Sequence, residues 1–132
     1  MRGQQYLTKP PQYALVYSKG SSWASRWVVL KAMESGRPLT RYGFSVSRKV
    51  GNAVLRNRIK RWLREILRVT PLKAGHDIIF IARPAAAATG YWNLKKEVEN
   101  LLSKARLLGV DEGAGPLTEV GSSQESVNQA GY

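Results

Sequence analysis

Most residues of this sequence that could do chemistry are cations, and they are concentrated between Arg41 and Arg68. The stretch RYGFSVSRKVGNAVLRNRIKRWLREILR holds nine Lys and Arg side chains and a single acid, Glu65. Guanidinium and ammonium groups form charge-assisted hydrogen bonds with phosphate oxygens. This stretch therefore favours the binding of a polyanion rather than the cleavage of a bond.

The only histidine, His76, precedes Asp77 at the start of an apolar run. A lone His–Asp neighbour pair is weak evidence for catalysis, because no further carboxylates cluster around it to complete an acid–base or metal site. The absence of cysteine excludes disulfides and thiolate metal sites. The sequence predicts a structural histidine, and neither a catalytic residue nor a metal ligand in the protein.

The net charge of +12 is unevenly distributed along the 132 residues. Residues 1–108 hold all 21 basic residues and five of the nine acids, a formal charge of +16, whereas residues 109–132 hold four acids and no base. A compact domain with that charge repels itself unless a polyanion shares its field. We therefore predict one domain over 1–108, with nucleic acid or an anionic membrane as the expected partner, followed by a disordered, acidic Gly- and Ser-rich tail over 109–132.

The cations must be positioned by a helix that begins near Asn52, a good N-cap residue, and ends before Pro71. Its apolar residues follow helical spacing and form one stripe: Leu55, Ile59, Trp62, Leu63 and Ile66. Most of the basic residues fall opposite the stripe or along its borders. The pattern predicts a helix anchored in a core by one side, with a cationic surface on the other.

The flanking sequence supplies a small sheet and two further helices. A helix capped by Thr8 is predicted to end before Gly20, and a last helix covers 91–108. Strands are predicted over 26–33 and 41–47, and the continuous apolar run 78–82 within the segment 76–84 predicts a third. In the second strand the face formed by Gly43, Ser45 and Ser47 is unusually small. The order of elements predicts an α+β fold with helices packed on a sheet.

Several interpretations of the basic helix compete with RNA binding. A solvated helix normally mixes charges, whereas Arg56, Lys60, Arg64 and Arg68 repel one another at a spacing of four. A nuclear-localisation signal would be flexible rather than anchored by apolar residues. A membrane-surface helix would need the apolar stripe that the core requires, and no run is long enough to span a bilayer. For DNA, the short turn and partner helix of a helix–turn–helix are missing.

Aromatic residues favour unstacked RNA instead. Tyr13 and Tyr17 share one side of the first helix, and the small sheet face leaves room beside them for bases to stack. The alternative that both tyrosines belong to the core stays open. With no apolar segment typical of a signal peptide at the N-terminus, the expected location is cytoplasmic.

The 41–68 stretch closely resembles the bacterial ribonuclease P protein subunit, with a strand leading into SRKVGNA and a helix carrying RNRIKR. Weaker similarity extends over roughly residues 5–108. The resemblance implies an α/β sandwich of about four strands in a mixed sheet with three helices and a left-handed βαβ crossover. It also implies partnership with a catalytic RNA that uses Mg²⁺ to remove the 5′ leader of precursor tRNA, with no membrane and no obligate protein partner.

The resemblance further implies roles for particular residues. Tyr13 and Tyr17 stand where the family usually has phenylalanines that line the leader cleft, and Lys31 stands where an aromatic is frequent. The residues implied to bind the catalytic RNA are Arg48, Lys49, Asn52, Arg56, Asn57, Arg58, Lys60, Arg61 and Arg64. Two other functions remain compatible with the residues alone, namely a non-catalytic RNA-binding protein of ribosomal type and a nuclease acting by itself.

Overall fold

A computed structural model of the chain describes residues 6–109. A short 3-10 helix, Pro84–Ala88, precedes the last α-helix. The α-helices and strands in chain order are α1 (Pro10–Lys19), β1 (Ser21–Ala24), β2 (Val28–Glu34), β3 (Arg41–Ser45), α2 (Ala53–Arg68), β4 (His76–Ala82) and α3 (Tyr91–Lys104).

The four strands form one mixed sheet in the order β1-β2-β4-β3. β2 pairs antiparallel with β1 and β4, whereas β3 pairs parallel with β4. Because parallel neighbours need a crossover, α2 connects β3 to β4. The predicted α+β sandwich of a four-stranded mixed sheet with three helices is confirmed. The left-handed sense of the crossover stays a prediction.

The two faces of the sheet pack against different helices. Leu30 and Phe80 point into the main core, which α2 and α3 close from one side. Ile79 lies on the opposite face in a smaller apolar cluster with Leu7 and Val16 of the α1 region. α1 is therefore separated from α2 and α3 by the thickness of the sheet, and it covers only part of its own face.

The basic helix α2 starts and ends where the sequence predicts. Asn52 caps it by accepting a hydrogen bond from the Leu55 amide at 2.9 Å. Beyond the helix, the Thr70 hydroxyl donates to the Ile66 carbonyl at 2.6 Å. The residues buried in the core are Ile59, Leu63, Ile66 and Leu67, and Leu55 and Trp62 are half-buried. The predicted stripe thus anchors the helix, with Leu67 added to it.

The prediction that Thr8 caps α1 is wrong. The cap is Lys9, and the Gln12 side-chain oxygen accepts hydrogen bonds from the Thr8 and Lys9 amides at 2.8 and 3.0 Å. The Gln12 side chain thus satisfies the amides that precede the helix, and the Gln12 amide donates to the Lys9 carbonyl instead of to a threonine hydroxyl. The predicted end is confirmed, since Gly20 follows the last turn and its amide donates to the Val16 carbonyl.

Strand β1 was not predicted from residue patterns. Its four residues carry too little apolar alternation to signal a strand, and they become one by pairing with β2, as in the Trp23–Leu30 pair. The hairpin between them is closed by Ser25, whose amide and hydroxyl both approach the Val28 carbonyl, at 2.9 and 3.0 Å. Tertiary pairing, not local propensity, defines this edge of the sheet.

The prediction that the last helix reaches Leu108 is also wrong, because α3 ends at Lys104. Arg106 adopts a left-handed conformation with φ of 60°. The Leu107 amide then donates to the Leu102 carbonyl and the Arg106 amide to Ser103, which is the hydrogen-bond pattern of a Schellman motif. That position usually holds glycine, so the arginine concealed the helix end.

Replacing Arg106 by Gly should raise the free energy of unfolding by about 1 kcal/mol. Glycine removes the steric cost of the left-handed conformation, which outweighs the entropy that it adds to the unfolded chain. Arg106→Ala serves as the control, since it removes the charge but keeps the Cβ and should give no such gain. Chemical denaturation of the three proteins measures the difference, and an equal gain for both variants would contradict the conformational explanation.

The last described residues pair with the segment after α2. The Gly109 amide donates to the Pro71 carbonyl at 2.8 Å, and Leu108 forms an antiparallel β-bridge with Leu72. Apart from Gly109, the predicted acidic tail lies outside the described residues. Within residues 6–109, no helix combines the length and apolar character needed to cross a bilayer.

Candidate nucleic-acid interface

The outer surface of α2 presents a row of basic side chains to solvent. Arg58, Arg61, Arg64 and Arg68 are exposed, and so is Asn57, whereas Arg56 and Lys60 at the borders are half-buried. We call these seven residues the cationic face. Their backbone is held by the buried side of the same helix, so the cations are displayed on a rigid element rather than a loose segment.

Within residues 6–109, no carboxylate lies within salt-bridge distance of any cation on this face. The ion pairs of Arg41 with Asp77 and of Lys95 with Glu99 include no residue of α2. Glu65 is on the helix but forms neither pair. Like charges one turn apart destabilise a helix, so this arrangement becomes favourable only when an anionic partner neutralises it.

Two predicted RNA-binding residues also build the turn that precedes α2. The Asn52 oxygen is committed to the helix cap, which leaves its amide group as the available donor. The Arg56 Nε donates to the Gly51 carbonyl at 3.1 Å, which fixes the start of the guanidinium group against the turn. Replacing either residue would therefore alter the turn as well as any contact with a ligand.

Arg48 and Lys49 are exposed on the turn between β3 and α2. The turn is closed by a hydrogen bond from the Val50 amide to the Ser47 carbonyl at 3.0 Å. The positive end of the α2 dipole points toward this turn, and the first helical turn contains no acid. The strongest positive potential of the α2 surface is therefore expected where Arg48 and Lys49 meet the helix start.

The remaining predicted residues lie on the sheet face that α1 partly covers. The strand register places Lys31, Ile79 and Gly43 side by side in one row across β2, β4 and β3. The next row toward α2 holds three half-buried residues, Val29, Ile81 and Ser45. We call these two rows the α1 face. Lys31 is half-buried on it, two strands away from Gly43 in the same row.

Tyr13 of α1 lies directly on Gly43. A Cβ at Gly43 would come within 2.3 Å of the Tyr13 hydroxyl oxygen, so only glycine admits the ring at this position. The hydroxyl donates to the Leu7 carbonyl at 3.2 Å, and burial raises the pKa of the Tyr13 phenol. Tyr13 is thus a wall of the α1 face that is tied into the fold.

Tyr17, one turn further along α1, is 41% exposed. The two tyrosines therefore have different environments, whereas the sequence predicts that both are either stacking residues or core residues. Tyr13 is partly core, whereas the Tyr17 ring is open to solvent. β3 connects the two candidate surfaces, because its Ser45 end on the α1 face leads directly to the turn with Arg48 and Lys49.

The structure also explains the His76–Asp77 pair. Asp77 is 2% exposed and accepts two hydrogen bonds from Arg41, from Nε at 3.0 Å and Nη2 at 2.6 Å. His76 Nδ1 instead lies 3.0 Å from the Ala74 carbonyl oxygen. Asp77 is therefore a structural partner of Arg41 rather than an acid–base partner of His76.

Sequence reasoning missed this buried ion pair. Arg41 and Asp77 are 36 positions apart, and they meet because they are register partners of the parallel β3–β4 pair. No local signal marks either residue. Within the described residues, no group of three or more His, Asp or Glu side chains is arranged to hold a metal ion.

Comparison with known proteins gives a consistent result across sequence and structure. The family model described as Ribonuclease P matches residues 1–106. The chain is 44% identical over 108 residues to the ribonuclease P protein component of Dehalococcoides mccartyi, covering 82% of this chain and 90% of the relative. It is 40% identical over 103 residues to that of Caldanaerobacter subterraneus, covering 76% and 89%.

Two solved structures resemble the fold closely. A Staphylococcus aureus RNase P protein mutant with defective mRNA degradation activity has a TM-score of 0.74 and 36% identity, covering 78% of this chain and 89% of the other. The RNase P protein from Thermotoga maritima has a TM-score of 0.68 and 30% identity, covering 76% and 97%. These shares correspond to most of the chain, and the family match takes in both the cationic face and the α1 face.

Proposed function

The chain belongs to the ribonuclease P protein family, and on that premise we propose that it assembles with a catalytic RNA to remove the 5′ leader of precursor tRNA. Membership assigns it a role in tRNA processing, as the protein part of a ribonucleoprotein that also contains an RNA subunit. In our proposal the protein binds and positions, while the RNA and its Mg²⁺ ions carry out the hydrolysis. The assembly is proposed to be cytoplasmic and to need no other protein.

The observation that carries the proposal is the cationic face, whose charges have no carboxylate partner within residues 6–109. Phosphates of the RNA subunit would supply the missing negative charge and release counterions on binding. Arg48 and Lys49 extend this contact across the turn, and the free amide groups of Asn52 and Asn57 add hydrogen-bond donors. The protein thereby offsets phosphate repulsion that opposes compaction of the RNA and docking of its substrate.

We assign the 5′ leader to the α1 face, on the other side of the sheet from the core of α2 and α3. The exposed Tyr17 ring can stack on an unpaired base, and Lys31 can hold a phosphate. Tyr13 forms a wall of this surface by filling the space above Gly43. A single strand that crosses the α1 face leads toward Arg48 and Lys49, which therefore border both RNA partners.

The test is a cleavage assay on precursor tRNA at low Mg²⁺ with three arms: the protein alone, the RNA subunit alone, and both together. We expect efficient leader removal only in the mixture. Cleavage by the protein alone would show an independent nuclease. RNA binding without any stimulation of cleavage would favour a non-catalytic RNA-binding protein of ribosomal type.

Tyr17→Ala should reduce the preference of the assembled enzyme for precursor over mature tRNA by roughly 5-fold or more, because base stacking contributes about 1–3 kcal/mol. Tyr17→Phe keeps the ring and should retain the preference. Leu15→Ala is a matched control, since Leu15 is also on α1 and is similarly exposed at 43%. Binding of the two tRNAs to each assembled variant gives the ratio, and an equal loss for both tRNAs would contradict a leader contact.

A further inference from the structure

A row of aromatic rings connects the cationic face to the start of α3. The Arg58 guanidinium carbon lies 5.3 Å from the centre of the Trp62 ring, one helical turn away. Trp62 meets Tyr91 edge-to-face at 6.1 Å between ring centres, and Tyr91 meets Trp92 in the same manner at 5.0 Å. We call Trp62, Tyr91 and Trp92 the aromatic row, which begins at a cation and ends at Trp92.

The last ring of the row is open to solvent. Trp92 is 76% exposed, whereas Trp62 and Tyr91 are half-buried against the core. An edge-to-face contact covers at most one face of a ring, so at least one face of the Trp92 indole is available. The core does not require this side chain, because Leu94 supplies the buried contact of the first turn of α3.

The electrostatic surroundings of the row favour an anionic partner. Arg58 has no carboxylate within salt-bridge distance in residues 6–109, and the first turn of α3 contains no acid. Gly90 precedes α3 without a side-chain cap, so the positive end of the helix dipole lies beside Trp92. The acid nearest in sequence to Trp62 is Glu65, three residues on, and Glu99 is neutralised by Lys95 at 2.6 Å.

We propose that Trp92 is a stacking platform for an unpaired nucleobase of the RNA subunit, while Arg58 holds a phosphate of the same RNA at the other end of the row. This inference rests on the proposed function and assigns a second contact to it. The RNA subunit, rather than the leader, is the partner because α2 and α3 lie on the opposite side of the sheet from Tyr17 and Lys31. Stacking needs no particular base, so the site recognises an exposed base rather than a sequence.

A protein partner fits these features less well. A protein interface would need a contiguous apolar patch of several hundred Å², whereas here one exposed ring is flanked by half-buried ones and cations. A cation near an exposed aromatic ring is instead the combination with which proteins bind single-stranded RNA. The row also continues the surface already proposed to contact the RNA subunit.

The experiment measures binding of the full-length chain to the RNA subunit over a range of salt concentrations. Trp92→Ala should weaken binding roughly 5- to 100-fold while leaving the slope of log Kobs against log salt unchanged, because a base stack releases no counterions. Trp92→Phe should restore most of the affinity. Leu39→Ala, at an exposed apolar residue on the loop before β3, should bind like the parent chain.

The other outcomes separate this inference from the proposed function. Parent-like binding by Trp92→Ala would overturn the stacking platform while leaving the proposed function intact. If Trp92→Ala binds the RNA subunit normally but the assembled variant binds precursor tRNA more weakly, the inference is also wrong, because Trp92 would then contact the substrate. If the parent chain itself fails to bind the RNA subunit, the proposed function fails first. The midpoint of thermal unfolding of Trp92→Ala should equal that of the parent chain, because the Trp92 ring is exposed.

Discussion

Replacing both Arg61 and Arg64 by Gln should weaken binding to the RNA subunit about 30-fold at moderate salt. Each cation that contacts a phosphate contributes a charge-assisted hydrogen bond and the release of a counterion, so two contacts together are worth about 2 kcal/mol. Both side chains are exposed and have no carboxylate partner within residues 6–109, and glutamine preserves the helix propensity of α2. The loss should therefore appear in binding and not in folding.

The salt dependence makes this prediction specific. If the cationic face meets about six phosphates, the slope of log Kobs against log salt should lie near −4 to −5 for the parent chain. The double variant should reduce its magnitude by about 1 to 2, since roughly one unit is lost with each phosphate contact. A filter-binding or fluorescence titration at four or five salt concentrations gives both the affinity and the slope.

The control must remove the same charge elsewhere. Arg37 and Lys73 are exposed on loops beside the β3 and β4 starts, at the other end of the sheet from the start of α2. Arg37→Gln combined with Lys73→Gln lowers the net charge by the same amount but should leave the slope within experimental error of the parent. Equal effects of the two double variants would mean that only the overall charge of the protein matters, and the cationic face would lose its assigned role.

Asp77→Asn should destabilise the protein by about 3–5 kcal/mol. The substitution leaves the Arg41 guanidinium, 12% exposed, without the carboxylate that accepts two of its hydrogen bonds. The hydrogen bonds from Arg41 to the Asp77 carboxylate raise the pKa of Arg41 above its ordinary value, and because arginine is charged in any case, the variant buries an unpaired charge. Because small domains are stable by only about 5–15 kcal/mol, the variant should unfold at a much lower denaturant concentration.

A second ion pair in the same protein supplies the control. Glu99→Gln removes the pair with Lys95, which lies on the surface of α3 with Glu99 42% exposed, and should leave the midpoint of denaturation close to that of the parent chain because solvent screens an exposed pair. Replacing both Arg41 by Met and Asp77 by Leu should be far less damaging than Asp77→Asn alone, because no buried charge is left unpaired. If Asp77→Asn and Glu99→Gln have similar midpoints of denaturation, the buried pair does not hold β3 against β4.

Much of the architecture was predictable because it is encoded by local spacing. The α2 helix, its Asn52 cap and its apolar stripe depend on residues within a few positions of one another, and all are confirmed. The strands β2, β3 and β4 were located from their apolar content, with ends that differ by two residues or fewer. Errors occurred where a tertiary contact or an unusual residue replaced the expected signal, as in β1 and at Arg106.

Parts of the candidate site were likewise predictable from local sequence, and other parts depend on tertiary contacts. The sequence of α2 alone predicts the positive charge of the cationic face and its position opposite the apolar stripe of the helix. The resemblance to a known family came from the same contiguous stretch. Sequence could not distinguish Tyr13 from Tyr17, because their different environments arise from the closeness of α1 to Gly43 on β3. Likewise, Arg58 and Trp62 are neighbours by helical spacing, but only the packing of α3 on α2 adds Tyr91 and Trp92 to the row.

The sequence by itself determined an anchored basic helix, since helical periodicity and charge are properties of consecutive residues and need no knowledge of the rest of the fold. The tertiary structure decided which residues meet across the sheet: Arg41 with Asp77, Tyr13 with Gly43, and Lys31 with Ile79. Such contacts depend on strand order and register, which are set by the joint burial of residues from distant segments rather than by any one of them. The separation of the α1 face from the cationic face and the aromatic row is a consequence of that order.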